Sequence, residues 1–344
     1  MNFVLVYLGN KVPNFVYSNL RYLTKAFPNN DIYIILDKTS AANFRAPAKV
    51  KVWLFEEDSN SDINSLGLLN HDLHFRNGFW SLTIKRLVAL VQLIEDKNLS
   101  NVLHVEADVW LSQSFPLEKI IASNFGIGYP LSNLEEGVAS TLFIRDSECG
   151  EYLRSYIARE IQKSPNSTDC TILGSLYKEN NAEITIGILP TIIPSTSNLN
   201  ESFDPAAHQV MSEGSEFFGG IFDAATWGQY LLGIDPRNNS GFKHIYGVQP
   251  HHPCNPESTR IWFDETTQAP IANIGKEQLP LFSLHIHSKS KRAFIYPSMN
   301  SEVAKRANFA PKEPRQELLI QLFLVGFVKR MIFFVIREVR KFSK

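Results

Sequence analysis

The sequence predicts an α/β fold built on a largely parallel sheet, and three observations carry that prediction. The chain opens with an apolar strand at 3–8, a helical-period stretch at 15–27 and a second apolar strand, IYIIL, at 32–36. A strand–helix–strand opening of this kind implies parallel strands joined by right-handed crossovers. Short runs of β-formers then recur between helical stretches. Apolar residues make up 44% of the 344, enough for a sizeable core and incompatible with global disorder.

Taken in order, FVLVYL at 3–8 is rich in β-formers and reads as the first strand. A loop with Pro13 follows. Val16, Leu20, Leu23 and Phe27 recur at helical spacing, so 15–27 is a helix. PNND makes a turn, and the buried strand at 32–36 ends at Asp37. KVKVWLF at 49–55 alternates and gives a third strand, while 56–70 is polar and loop-like. In 83–99, Ile84, Leu87, Val88, Val91 and Ile94 share one helical face, and this helix leads into the strand NVLHV at 101–105. FGIGYP at 125–130 and ASTLFI at 139–144 are further strands; 149–161 and 169–177 are helices; 182–190 is a strand. The stretch 191–300 is rich in Pro, Gly, Asn and aromatics, with a short helix at 224–232 and a late strand, FSLHIH, at 282–287. No internal repeat or low-complexity linker precedes residue 301 or so, and one domain over 1–300 fits best.

The net charge is −1, so nothing overall suggests nucleic acid. The charge is unevenly spread. Residues 317–344 hold six basic and two acidic residues, a net +4, which leaves −5 on the rest. After a linker at 301–316, this tail is too short in its apolar run (318–328) to span a bilayer, which needs about 20 apolar residues. Extending the run to Ile336 would bury Lys329 and Arg330 at about 2.5–3.5 kcal/mol each. On a helical wheel the six basic residues fall within an arc of about 120°. The tail reads as an interfacial helix drawn to anionic lipid, the alternative being a helix packed on the body or on a partner chain. Cys149, Cys170 and Cys254 are scattered and odd in number, with no CxxC, and read as reduced thiols. The N-terminus MNFVLVYLG lacks a basic stretch and a long apolar run, so the expected location is cytoplasmic, on the inner face of the membrane.

LHVEADVWL at 103–111 places two carboxylates, Glu106 and Asp108, at a strand end. Acids are depleted in strands, because a buried charge must be paired or must bind something. In open α/β sheets, ligands gather at the carboxyl ends of strands. Two acids at i and i+2 can converge on one hard cation, which typically takes its other ligands from water and a diphosphate. The plainer reading is an exposed turn with two solvated acids.

The segment resembles the D-x-D motif of glycosyltransferases with the nucleotide-diphospho-sugar transferase fold, called GT-A, with Glu106 in place of the first Asp. The resemblance covers about residues 1–295 and rests on the order of several short motifs. It implies a mixed, mostly parallel sheet with a nucleotide-binding half at 1–110 and an acceptor half at 111–300. It implies Mn²⁺ or Mg²⁺ held by Asp108, with Glu106 on the metal, the ribose or water. LHIHSK at 284–289 is similar to a late His-plus-Lys segment in which His285 or His287 completes the metal site, and the direct lead into the turn favours His287. Lys289 would meet the diphosphate, as would Arg86 on the helix before the motif. TDCTIL at 168–173 resembles a helix start whose acid, Asp169, lies near the donor sugar, with Cys170 where Gln is usual. GGIFDAATWGQYLL at 219–232 looks like a wall of the sugar and acceptor pocket, with Gly220, Trp227 and Gln229 lining it. Asp223 there is an alternative to Asp169 as the catalytic acid, in the role of general base. Tyr7, Leu8 and Gly9 follow the first strand, where the family's base pocket begins, and Asp37 ends the second.

The expected function is transfer of a sugar from a UDP- or GDP-sugar to a glycan or lipid-linked acceptor, a bacterial polysaccharide-type reaction. Two alternatives stand beside it. One is a non-catalytic carbohydrate-binding or scaffold protein on the same fold. The other is a nucleotidyltransferase, ranked lower because GNKVPN at 9–14 is not the Gly-rich basic loop that cradles a triphosphate.

Overall fold

The opening unit is β1 (Asn2–Tyr7), α1 (Asn14–Ala26), β2 (Asp31–Leu36), α2 (Lys38–Ala41) and β3 (Val50–Leu54). Its three strands pair in parallel, with Phe3 opposite Ile32 and Ile34 opposite Val52. Then come α3 (Phe79–Lys97), β4 (Val102–Val105), β5 (Val109–Leu111), α4 (Leu117–Ala122), β6 (Ile127–Asn133), β7 (Glu136–Gly137) and β8 (Thr141–Ile144). The helices α5 (Ser147–Lys163) and α6 (Asp169–Leu176) and the strand β9 (Ile186–Leu189) follow. The last part holds α7 (Pro205–Ser212), α8 (Ser215–Phe218), α9 (Thr226–Leu232), β10 (Arg260–Phe263), β11 (Pro270–Ile274), β12 (Glu277–Pro280) and β13 (Ser283–His285). The computed structural model describes residues 1–9, 11–56, 68–71, 75, 78–179, 183–192, 204–232, 259–264, 269–274, 277–287 and 289. The chain divides into Met1–Asn308 and Phe309–Lys344; the linker at 301–316, the basic tail and Cys254 all lie outside the described residues.

The main sheet runs β3-β2-β1-β4-β8-β6-β7, with β9 also paired to β6. It is mixed and mostly parallel: β8 lies antiparallel between β4 and β6, while β9 runs parallel to β6. Alternate residues of a strand point to opposite faces. Here both faces are apolar, because helices cover both. On one side Phe3, Leu5, Ile32, Ile34 and Leu103 pack with Val16, Leu20 and Leu23 of α1. On the other, Val4, Val6, Ile35 and Val102 pack with Ile84, Leu87 and Val91 of α3. All are buried.

The long periodic elements lie where the sequence puts them. Residues before the apolar stripe extend α3: it begins at Phe79, after Gly78 at φ 77°, and stops at Asn98, also left-handed at φ 46°. The elements without a sequence signal are short. α2 is a single turn whose capping box is closed by Asp37 and Ser40. β5 is three apolar residues immediately after the two acids, too short to alternate. The antiparallel ribbon β10-β11-β12 lies in the aromatic-rich stretch that has no clear period.

One close approach ties the α6 layer to β7. A Cβ on Gly174 would overlap the carbonyl oxygen of Glu135 and come within 2.6 Å of the Glu136 nitrogen. Backbone cannot swing aside as a side chain can. Overpacking of this kind costs about 1–3 kcal/mol or more. We expect Gly174→Ala to lower the equilibrium urea-unfolding free energy by about 3 kcal/mol, and an unchanged midpoint would contradict this packing.

Candidate metal centre

The site is built by three distant segments that meet at the carboxyl end of β4. After Val105 the chain turns, closed by the Val109 N–H donating to the Glu106 carbonyl at 2.9 Å, and continues as β5. β5 pairs antiparallel with β13, so His285 lies opposite Val109 and Leu284 opposite Trp110. One step further, the Ile286 N–H donates to the Asp108 carbonyl at 2.7 Å. This register sets His285 beside the acid turn. From the other side, the Asn19 amide of α1 donates to the carbonyls of Ala107 (3.1 Å) and Val109 (2.9 Å), which flank Asp108. The Tyr22 hydroxyl donates to the Leu111 carbonyl at 2.6 Å.

Glu106, Asp108 and His285 each present one ligand atom, and the three atoms lie within 4.8 Å of one another. His285 Nε2 is 3.2 Å from Glu106 Oε2 and 3.2 Å from Asp108 Oδ2. The carboxylates are nearly buried, at 12% and 13% side-chain exposure. Each also touches a cationic side chain: Arg86 pairs with Glu106, and Lys289 pairs with Asp108. Arg86 reaches further, donating to Asp169 Oδ2 at 2.8 Å through its second nitrogen. The Lys289 backbone is left-handed at φ 53°, with its N–H on the Ile286 carbonyl at 3.0 Å, and this turn brings the ammonium back over the site. A non-glycine residue in that region is uncommon and tends to occur where geometry serves a site.

The electrostatics follow from burial and these cations. Burial alone would raise the Glu106 carboxyl, but its neighbours, the Arg86 guanidinium above all, outweigh burial and hold the group well below the usual carboxylate range. Asp169 is buried at the start of α6. Burial pushes its carboxyl up, against the pull of Arg86 and with the push of Glu106. His104, on β4, lies wholly buried with Nδ1 3.0 Å from the Val4 carbonyl, which identifies Nδ1 as the protonated nitrogen. Burial and Arg86 push its pKa down to about 3, so it is neutral.

The donor set fits a divalent cation. Two carboxylates and an imidazole are ligands for Mn²⁺ and Mg²⁺-type ions. A single imidazole N–H can point at only one of two equidistant carboxylate oxygens, whereas a cation among the three donors satisfies all of them.

The structure revises several expectations. His285, and not the favoured His287, joins the acids, because β13 ends at His285 and the chain then turns. His287 instead stacks on His285, ring centroids 4.0 Å apart. Asp223 is not placed to act as a general base: it is fully buried, and its carboxylate accepts from the backbone N–H groups of Trp227 (3.0 Å), Gly228 (2.8 Å) and His285 (2.8 Å). Trp227 is a core residue with no exposed face, its indole nitrogen 3.4 Å from the Thr191 carbonyl. Gly220 packs against Phe282 and the Pro280 carbonyl. Asp37 accepts from the Ser40 and Gly9 N–H groups, both at 2.7 Å, and so shapes the Leu8–Gly9 loop after Tyr7. Gln229 lies in the second layer, its Nε2 3.4 Å from His287 Nε2. Three residues the motifs did not reveal complete the site: Asn19, Tyr22 and His104. Asn19 left one trace, a polar amide on the apolar face of α1 beside Leu20.

No family model matches the sequence, and no curated protein matches it. Among solved structures the chain is similar to the PaToxG glycosyltransferase, at 12% identity and TM-score 0.35 over 52% of this chain and 67% of that one. It is similar to an active-site mutant of LgtC at 15% and 0.39, over 61% and 83%. It is also similar to a glycosyltransferase involved in glycosylation of the major capsid of PBCV-1, at 9% and 0.31, over 55% and 81%. Likenesses this weak assign no function to the chain.

Arg86 bridges two buried acids, so its removal strands both charges. Breaking a buried pair from one side costs about 3–5 kcal/mol. Without Arg86, burial raises both carboxyls above their unfolded values, the unfolded chain then binds fewer protons, and stability falls as pH rises. We expect Arg86→Met to lose about 3–5 kcal/mol at pH 7 and distinctly less at pH 5 in urea unfolding. A loss independent of pH would contradict this charge arrangement.

Proposed function

We propose that the protein is a metal-dependent glycosyltransferase that takes its sugar from a nucleoside-diphosphate donor. The observation that carries this is the convergence of Glu106, Asp108 and His285 at the carboxyl end of a parallel-sheet strand. That is where α/β sheets bind ligands. The surrounding charge favours the same reading. Three carboxylates (Glu106, Asp108, Asp169) face two cations (Arg86, Lys289), an acidic excess of one. A divalent cation would turn that into a cationic excess suited to a diphosphate.

The roles follow from the contacts. Asp108 and His285 would hold the metal, with Glu106 sharing it through Oε2 while Arg86 holds Oε1. A bound Mn²⁺ or Mg²⁺ supplies Lewis-acid stabilisation of the diphosphate leaving group. Lys289, on its left-handed turn, would exchange Asp108 for a phosphate oxygen, since its ammonium sits at the end of a flexible stem. Arg86 is held from both sides, so it orients Asp169 as much as it attracts anions. Asp169, beside Arg86, would be the acid that meets the donor sugar.

The acceptor reading, a glycan or a lipid-linked sugar, rests on the basic tail at 317–344, which would hold the enzyme at the inner, anionic face of a membrane. Among the described residues no helix is long and apolar enough to cross a membrane. Flotation with anionic but not neutral vesicles is the expected behaviour, and equal flotation with both would remove the electrostatic role of the tail.

Calorimetric titration with UDP and with GDP, each with and without Mn²⁺, tests the donor site. We expect one nucleotide to bind only with Mn²⁺, and a folded Asp108→Ala protein to lose that binding by at least about 100-fold, more than 2.7 kcal/mol. Absence of nucleotide binding under all four conditions would replace the enzyme by a carbohydrate-binding or scaffold protein.

A further inference from the structure

We propose that the segment 219–232 positions the metal-facing imidazole of His285 and is not a wall of the sugar pocket. This rests on the metal reading of Glu106, Asp108 and His285. The segment grips His285 twice, once through its backbone and once through its ring.

The backbone grip is Asp223. Its Oδ2 accepts the His285 N–H at 2.8 Å and the Gly228 N–H at 2.8 Å, while Oδ1 accepts the Trp227 N–H at 3.0 Å. Its own main chain is fixed as well. The Asp223 N–H donates to Ser283 Oγ, and the Ser140 hydroxyl donates to the Asp223 carbonyl, each at 3.0 Å. Asp223 thus ties the start of α9 to two residues of β13, with β8's neighbour Ser140 on the other side. Ala225, two residues on, holds a left-handed φ of 73°, a bend between Asp223 and the two successive amides of Trp227 and Gly228 that its carboxylate accepts alongside the His285 amide of β13. Gly228 makes the contact close: a Cβ there would overlap the His285 carbonyl and come within 2.7 Å of its nitrogen. Only a residue without a side chain lets α9 lie against β13 in this way.

The ring grip is Gln229 acting through His287. Gln229 Nε2 is 3.4 Å from His287 Nε2, and the His287 ring stacks on the His285 ring at 4.0 Å and 28°. With its backbone and one ring face fixed, His285 is left aiming Nε2 at Glu106 and Asp108. Groups that orient a ligand without touching the metal typically account for 10–100-fold in metal affinity.

The test uses Mn²⁺ alone, titrated calorimetrically into the wild-type chain, Asp223→Asn and Gln229→Ala, with pulsed EPR of the bound Mn²⁺ to read the ¹⁴N coupling of the imidazole. Circular dichroism and thermal unfolding report folding. Asp223→Asn faces three buried amides with only one acceptor and is the more disruptive variant. Gln229→Ala, in the outer layer, decides the matter if the first does not fold. We expect each folded variant to bind Mn²⁺ at least tenfold more weakly, with a changed ¹⁴N coupling. Wild-type affinity and coupling in a folded Gln229→Ala protein, including one with a raised KM for sugar substrates, would overturn the positioning role and return the segment to the pocket wall. A wild-type chain that binds no Mn²⁺ overturns the metal reading itself, and this inference with it.

Discussion

The antiparallel pairing of β5 with β13 is the interaction on which the site depends. Three residues on each side, Val109–Leu111 and Ser283–His285, join parts of the chain that are far apart in sequence. A side-chain period of two makes such a pairing unforgiving: a slip of one residue would send His285 to the opposite face. The register is therefore reinforced wherever it can be. Asn19 and Tyr22 bind the carbonyls of the acid strand from α1, and Asp223 binds the His285 amide from α9.

The second constraint is charge. Three carboxylates meet in a nearly buried space, and burying charge without compensation is costly. Arg86 and Lys289 supply compensation of two different kinds. Arg86 is planar, always charged and held by two acids, so it is a fixed part of the scaffold. Lys289 carries a point charge on a flexible stem and contacts a single acid among these. On the proposed reading, in which the site takes a cation and then an anion, Arg86 would keep the acids in place while Lys289 would make room. Asp169 and Glu106 share the Arg86 guanidinium and yet are driven in opposite directions, the first up by burial and the second down by Arg86 above all.

Much of the fold was legible in the sequence because long periodic segments leave little choice. The stripe Ile84, Leu87, Val88, Val91, Ile94 can only be a buried helical face, and IYIIL between a turn and an acid can only be a buried strand. The acids Glu106 and Asp108 were legible for the converse reason, since charge at the end of an apolar strand demands a partner. What was not legible depends on contacts between distant residues. His285 and His287 differ only in where β13 stops, and nothing local marks that end. Asp223 and Trp227 carry groups that can bind a sugar or fill a core equally well. Only the three backbone amides around one and the complete burial of the other distinguish the uses. Asn19 acts on carbonyls 88 and 90 residues away and has no motif at all.

The central claim is that Glu106, Asp108 and His285 form a single cation site. Anomalous diffraction at the manganese edge, from crystals grown with Mn²⁺ and nucleoside diphosphate, tests it most directly. The account predicts one strong anomalous peak among these three side chains, with the Lys289 ammonium displaced from Asp108 toward the phosphates. A map with no peak there, and Lys289 still on Asp108, would contradict it and leave the acids as partners of Arg86 and Lys289 alone.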